Sequence, residues 1–83
     1  MDLRRMAIFA TVVESGAMRR AARDLGLTPS AVSQQIRQLE RETGVTLLRR
    51  STRRLTMTDA GESFYQGCAA ARAAHIAAGF GHR

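Results

Sequence analysis

The chain has 83 residues, 45% hydrophobic and 5% aromatic, enough for one small domain with a modest core and too little for a second. Arginine supplies all 13 basic side chains against 7 acidic ones, and the formal charge of +6 points to an anionic partner, nucleic acid ahead of a membrane surface. No apolar run nears the roughly 18 residues that span a bilayer, the charged first helix is unlike a secretory signal, and the single cysteine rules out an internal disulfide or thiolate metal cluster, so a cytoplasmic location is expected.

From the N-terminus, Leu3, Met6, Phe9 and Val13 recur at three- and four-residue spacing and predict an amphipathic scaffold helix over 3–15, ended by Ser15-Gly16. A shorter helix follows over 18–25, where Ala21, Ala22 and Leu25 allow close approach and Gly26 supplies a left-handed turn residue. The third helix opens at Thr28-Pro29, a side-chain cap and a residue preset for the first turn, and runs to Gly44. Val32, Ile36 and Leu39 form its packing stripe, while Ser30, Ser33, Gln34, Arg37 and Arg41 fall on a different stripe that is free to enter a DNA groove.

After Gly44, Val45, Leu47 and Leu48 are expected to continue the core. Arg49 to Arg54 then break the pattern before Leu55 and Met57 alternate with Thr56 and Thr58, which predicts two short strands joined by a basic tip. Thr58 caps a last helix over 59–78, and 79–83 is expected to fray.

That last helix follows the wing and carries two apolar lanes, Phe64-Cys68-Ala71 and Tyr65-Ala69-Ile76. Either it folds back on its own domain or, as expected, it pairs with its copy from a second chain, with Ala60, Gly67, Ala70, Ala71 and Ala74 letting two helices lie close. Cys68 taken alone reads as a small buried apolar residue. Catalysis is not expected. There is no nucleophile, base and orienting group in a workable pattern, and His75 and His82 stand without a second metal ligand nearby, so no cofactor is expected either.

Phe9 with Val12-Val13-Glu14, Ala21-Ala22, Leu25, Val32-Ser33-Gln34-Gln35-Ile36, Leu39-Glu40, Gly44-Val45, Leu47-Leu48, Arg50 and Leu55 to Gly61 occur in order and without gaps over residues 1–78. In this the chain resembles the N-terminal DNA-binding domain of LysR-type bacterial transcriptional regulators. The resemblance implies a mainly α fold: a winged helix-turn-helix over 1–58, a linker and dimerisation helix over 59–78, and a C-terminal effector-binding domain that falls outside this sequence. It also implies sequence-specific binding of double-stranded DNA, with helix three in the major groove, the wing in the minor groove and a homodimer on a palindromic operator. A higher oligomer is expected in a full-length regulator.

Carried onto this chain, the resemblance sets Pro29, Ser30, Ser33 and Gln34 at base edges and Arg37 at or beside a phosphate. Gln34 is the best reader, because a carboxamide donates and accepts at once. Thr28 either caps helix three or reads a base, the cap being the commoner use. Ala17 and Arg19 depart from the hydroxyl residues usual in the family, which passes phosphate contact to Arg19 or Arg20. Arg53 aligns with a minor-groove arginine that favours A·T-rich flanks, and Arg50 and Arg54 suit the flanking phosphates. Phe64, Tyr65, Cys68, Ala71 and Ile76 are expected at the dimer contact. A winged helix of the molybdate-responsive type, or a dimerisation module alone, are the alternatives.

Overall fold

A computed structural model of the chain describes residues 3–50 and 54–81, with the backbone alone from residue 74 onward. The order is α1 (Leu3–Ser15), α2 (Met18–Leu25), α3 (Pro29–Thr43), β1 (Leu48–Arg50), β2 (Leu55–Met57) and α4 (Asp59–Gly81). The boundaries follow local chemistry. Gly26 takes φ 70° and ends α2, with the Leu27 amide donating back to the Ala22 carbonyl at 2.8 Å, so the chain reverses tightly into α3. Thr28 stays extended and its Oγ1 accepts from the Ala31 amide at 3.1 Å, while Pro29 fills a first-turn position that lacks a partner in any helix. Thr58 caps α4 in the same way, accepting from the Gly61 amide at 2.9 Å. The helix continues to Gly81, three residues past the expected end at 78, and residues 82 and 83 lie outside the described ones.

α1 is the centre of the domain, with α2, α3 and α4 all packed against it. Its buried side chains are Ile8, Phe9, Ala10 and Val12, which correct the simple stripe expected from Leu3, Met6, Phe9 and Val13. Leu3 is 48% exposed and Met6 and Val13 are partly covered, because three neighbours on different sides claim more than one stripe of α1. Val32, Ile36 and Leu39 of α3 and Ala21 and Ala22 of α2 complete this core as the spacing predicts. A fully buried side chain of the size of Phe9 contributes roughly 1.5–3 kcal/mol.

The wing is an antiparallel pair in the register Leu48↔Met57, Arg49↔Thr56 and Arg50↔Leu55. Strand alternation turns Leu48 and Met57 toward the core and puts Arg49 and Thr56 on the opposite face. Val45, expected in the core, is 44% exposed, because the chain bends there between the end of α3 and the extended segment that carries Leu47.

α4 departs most from expectation. Its first turns fold back along α1, where Phe64 meets Phe9 edge to face at 5.5 Å between ring centres and Cys68 is completely buried. The Tyr65 hydroxyl donates to Glu14 at 2.7 Å, and the Arg72 guanidinium forks onto the same carboxylate, with one bond at 2.8 Å. Phe64, Tyr65 and Cys68, expected at a contact with a second chain, thus pack on α1 of their own chain, Phe64 and Tyr65 staying half-buried. α1 offers these side chains an apolar wall and an anion within the same chain, and Cys68 has no surface left to share. Ala71 is half-buried, and the Ile76 side chain lies outside the described residues.

Candidate nucleic-acid interface

α3 presents Pro29, Ser30, Gln34, Arg37 and Arg41 to solvent, with Ser33 half-buried at the edge of that face. The periodicity that buries Val32, Ile36 and Leu39 in the core fixes which way the polar residues point, outward from the packed stripe. Thr28 accepts the Ala31 amide through Oγ1 and so caps α3, with its hydroxyl proton and one lone pair left for a partner. In α2, Arg19 is exposed, whereas the Arg20 guanidinium donates to the Ser15 carbonyl at 3.2 Å. Ala17 gives α2 no side-chain cap, so its first-turn amides lack that partner.

Arg49 and Arg50 stand exposed on β1 and Arg54 is exposed just before β2. Arg53, expected at the wing tip, lies outside the described residues. The arginines of the wing and the polar face of α3 thus sit on two elements joined by a short connection, residues 44–47.

Two residues that fix this geometry read from the sequence as ordinary surface charges, Arg5 on a helix face and Glu40 in an exposed pair with Arg41. Glu40 turns inward, where its Oε2 accepts from the amides of Leu47 at 2.8 Å and Leu48 at 3.3 Å and ties the wing root to α3. Arg5 reaches from α1 to α3, donating through Nε to Gln35 Oε1 at 2.8 Å and pairing with Glu42 at 3.1 Å. Neither contact follows a helix or strand period, so no local spacing announces it. Between α1 and α3 lies a polar concavity of about 460 Å³ lined by Arg5, Gln34, Gln35, Arg37, Gln38 and Arg41.

Cys68 is not poised for chemistry, since burial pushes its thiol up to about 11. Among the described residues no group of His, Cys, Asp or Glu could hold a metal ion, and no helix is long and apolar enough to cross a membrane. His75 and His82, the two histidines of the sequence, have no described side chains.

Residues 3–62 match the family model for bacterial regulatory helix-turn-helix proteins of the lysR family. The chain is 50% identical over 66 residues to the HTH-type transcriptional activator AaeR of Escherichia coli K12, a match covering 80% of this chain and 21% of that protein. It is 52% identical over 65 residues to the HTH-type transcriptional regulator BudR of Raoultella terrigena, covering 78% of this chain and 22% of that one. The chain therefore spans about a fifth of the length of these curated relatives. Among solved structures, it is similar to a CbnR_DBD–DNA complex at 34% identity and TM-score 0.84, covering all of this chain and 93% of that one. It is equally similar in fold to a BenM_DBD/catB site 1 DNA complex, at 31% identity and TM-score 0.84, covering 99% and 93%.

Proposed function

This chain belongs to the lysR family of bacterial regulatory helix-turn-helix proteins, and on that premise we propose that it binds double-stranded DNA sequence-specifically as the DNA-binding part of a transcriptional regulator. The observation that carries the reading is the exposed Ser30-Gln34-Arg37 face of α3, tied through Glu40 to the root of an arginine-bearing wing. Gln34 reads base edges in the major groove, with Pro29, Ser30 and Ser33 beside it. Arg37 and Arg19 hold phosphates, and Arg20 joins them after giving up its bond to Ser15. Arg50 and Arg54 hold phosphates on either side of the wing. Arg53 keeps the minor-groove role that the family resemblance implies, with a preference for A·T-rich flanks.

Residues 1–58 form the reading unit, and the outer face of the helix over 59–78 serves as the pairing surface of a homodimer on a palindromic site. Gly67 has open space around its Cα and Ala70 is exposed, so small residues of α4 face away from α1 and leave room for a second helix. The match over residues 3–62 favours this family over a molybdate-responsive winged helix. The relatives are transcriptional regulators, and we assign the chain no catalytic role and no cofactor. A cytoplasmic place beside the nucleoid follows from the proposed partner.

Selection from random duplexes tests the reading. Enrichment of a two-fold symmetric sequence, with binding that weakens steeply as salt rises, is the expected result. Equal retention of all duplexes would overturn it.

A further inference from the structure

On the flank of α3 that faces α1, two glutamine oxygens are already taken. Arg5 Nε donates to Gln35 Oε1 at 2.8 Å. Arg41 donates to Gln38 Oε1 through Nε at 3.2 Å and through a terminal nitrogen at 2.6 Å. A guanidinium has donors and no acceptor, so each amide must turn its oxygen toward the arginine, and its NH2 group is what remains to offer. A free glutamine can read adenine by donating and accepting together; here the Gln38 oxygen takes two bonds from Arg41 and the Gln35 oxygen is turned to Arg5, so the NH2 groups are what both have left to aim outward.

Both glutamines line the same concavity, with Arg5, Arg37 and Arg41 around it. No carboxylate lines it. Glu42 is held by Arg5 at 3.1 Å, and Glu40 is spent on the amides of Leu47 and Leu48. The result is a wall of fixed hydrogen-bond donors under positive charge, at the side of the proposed recognition face, and an oxyanion is the chemistry such a wall accepts.

We infer that this flank seats one backbone phosphate of the DNA duplex. The NH2 groups of Gln35 and Gln38 are the donors to it, and Arg5 and Arg41 are positioning residues that set their direction. The inference rests on the duplex-DNA reading above and adds to it a site on the α1 side of α3, where neither glutamine nor Arg5 had a role. It makes a sequence-independent contact, because a phosphate is the same beside every base pair.

Gln35→Glu is the informative variant. It keeps an oxygen for Arg5 and replaces the free NH2 by a second oxygen that repels phosphate. The expected result is an affinity loss on the order of tenfold, equal on selected and random duplexes, with the salt slope lower by about one unit and the melting temperature held. Gln38→Glu, which keeps an oxygen for Arg41, gives the same pattern and serves if the first variant folds poorly.

Duplexes carrying one neutral methylphosphonate at each backbone position in turn then locate the contact. At one position the difference between wild type and variant should vanish, as a double-mutant cycle requires. A loss confined to particular base pairs, no coupled position, or unchanged affinity in both variants would each overturn the phosphate seat. Wild-type protein that prefers no duplex would instead overturn the DNA reading itself, so the two failures are distinct.

Discussion

The Glu40 carboxylate accepts the backbone amide of Leu47 at 2.8 Å, seven residues further along the chain and past the end of α3. With the Leu48 amide at 3.3 Å on the same oxygen, one side chain satisfies two donors at the root of the wing. Leu47 and Leu48 are buried, so water cannot easily replace it. Glu40→Ala is expected to cost about 1–3 kcal/mol in urea unfolding, and Glu40→Gln distinctly less because one acceptor oxygen survives. Identical midpoints for wild type and Glu40→Ala would show that the clamp carries no stability.

Gly61 lies against the same stretch of chain. A Cβ built on it would overlap the Leu47 carbonyl oxygen and stand 3.3 Å from Thr58 Oγ1, so α4 can start beside β1 only without a side chain at this position. The clash is with backbone that cannot rotate away. Gly61→Ala is expected to destabilise by about 1–3 kcal/mol, although alanine is the better helix former. A rise in melting temperature would mean the backbone shifts at no cost.

Gln34 and Arg50 are exposed residues assigned different work, and their variants should separate on the selected site and on random duplexes. Gln34→Ala is expected to lose about 1–3 kcal/mol on the selected site and almost nothing on random duplex. Arg50→Ala should weaken both alike and lower the salt slope by about one unit. Equal losses for Gln34→Ala on both duplexes would remove it from base reading.

Glu14 sets a pH signature. The hydrogen bond from Arg72 holds its carboxyl below the ordinary 4.5, burial opposes this, and the Tyr65 hydroxyl adds to the lowering. A carboxyl whose folded pKa is the lower one stabilises the fold above the unfolded value, and that contribution is lost as pH falls through the folded one. Tyr65 is held above 10.0 chiefly by donating to Glu14, so its contribution is present below 10.0 and lost as pH rises through the raised value. Glu14→Gln should therefore flatten the melting-temperature profile below about pH 4.5 and above about pH 10. The Glu14 side chain is 41% exposed, so the effect should shrink in high salt. Superimposable profiles would show that the pair contributes nothing.

Oligomeric state and folding are coupled through α4. A chain ending at Gly61 loses Phe64 and Cys68 from the core and is expected to unfold more readily rather than become a folded monomer. Gly67→Arg adds a large side chain where a Cβ meets nothing within 4 Å, so folding should be unaffected. If the outer face of α4 pairs with a second copy, sedimentation should show Gly67→Arg shifted toward monomer. An unchanged association constant would place the pairing surface elsewhere.

What the sequence determined by itself is what depends on neighbours in the chain. The ends of α2 and α3 are written in Gly26, Thr28-Pro29 and Gly44, since capping and left-handed turns are settled within a few residues. The packing stripe of α3 and its opposite polar face follow from the helical period alone. Tertiary structure decided the matters that require knowing what lies across a gap. Leu3 is exposed and Ile8 buried because three helices surround α1, and the direction of α4 was settled by Phe9 and Glu14, 51 or more residues before their partners. The same holds for Arg5, whose contacts to Gln35 and Glu42 span 30 and 37 residues. Its charge could be read from the sequence, but not the oxygen it holds, because a side chain's partner across the core is chosen by packing and no spacing along the chain records it.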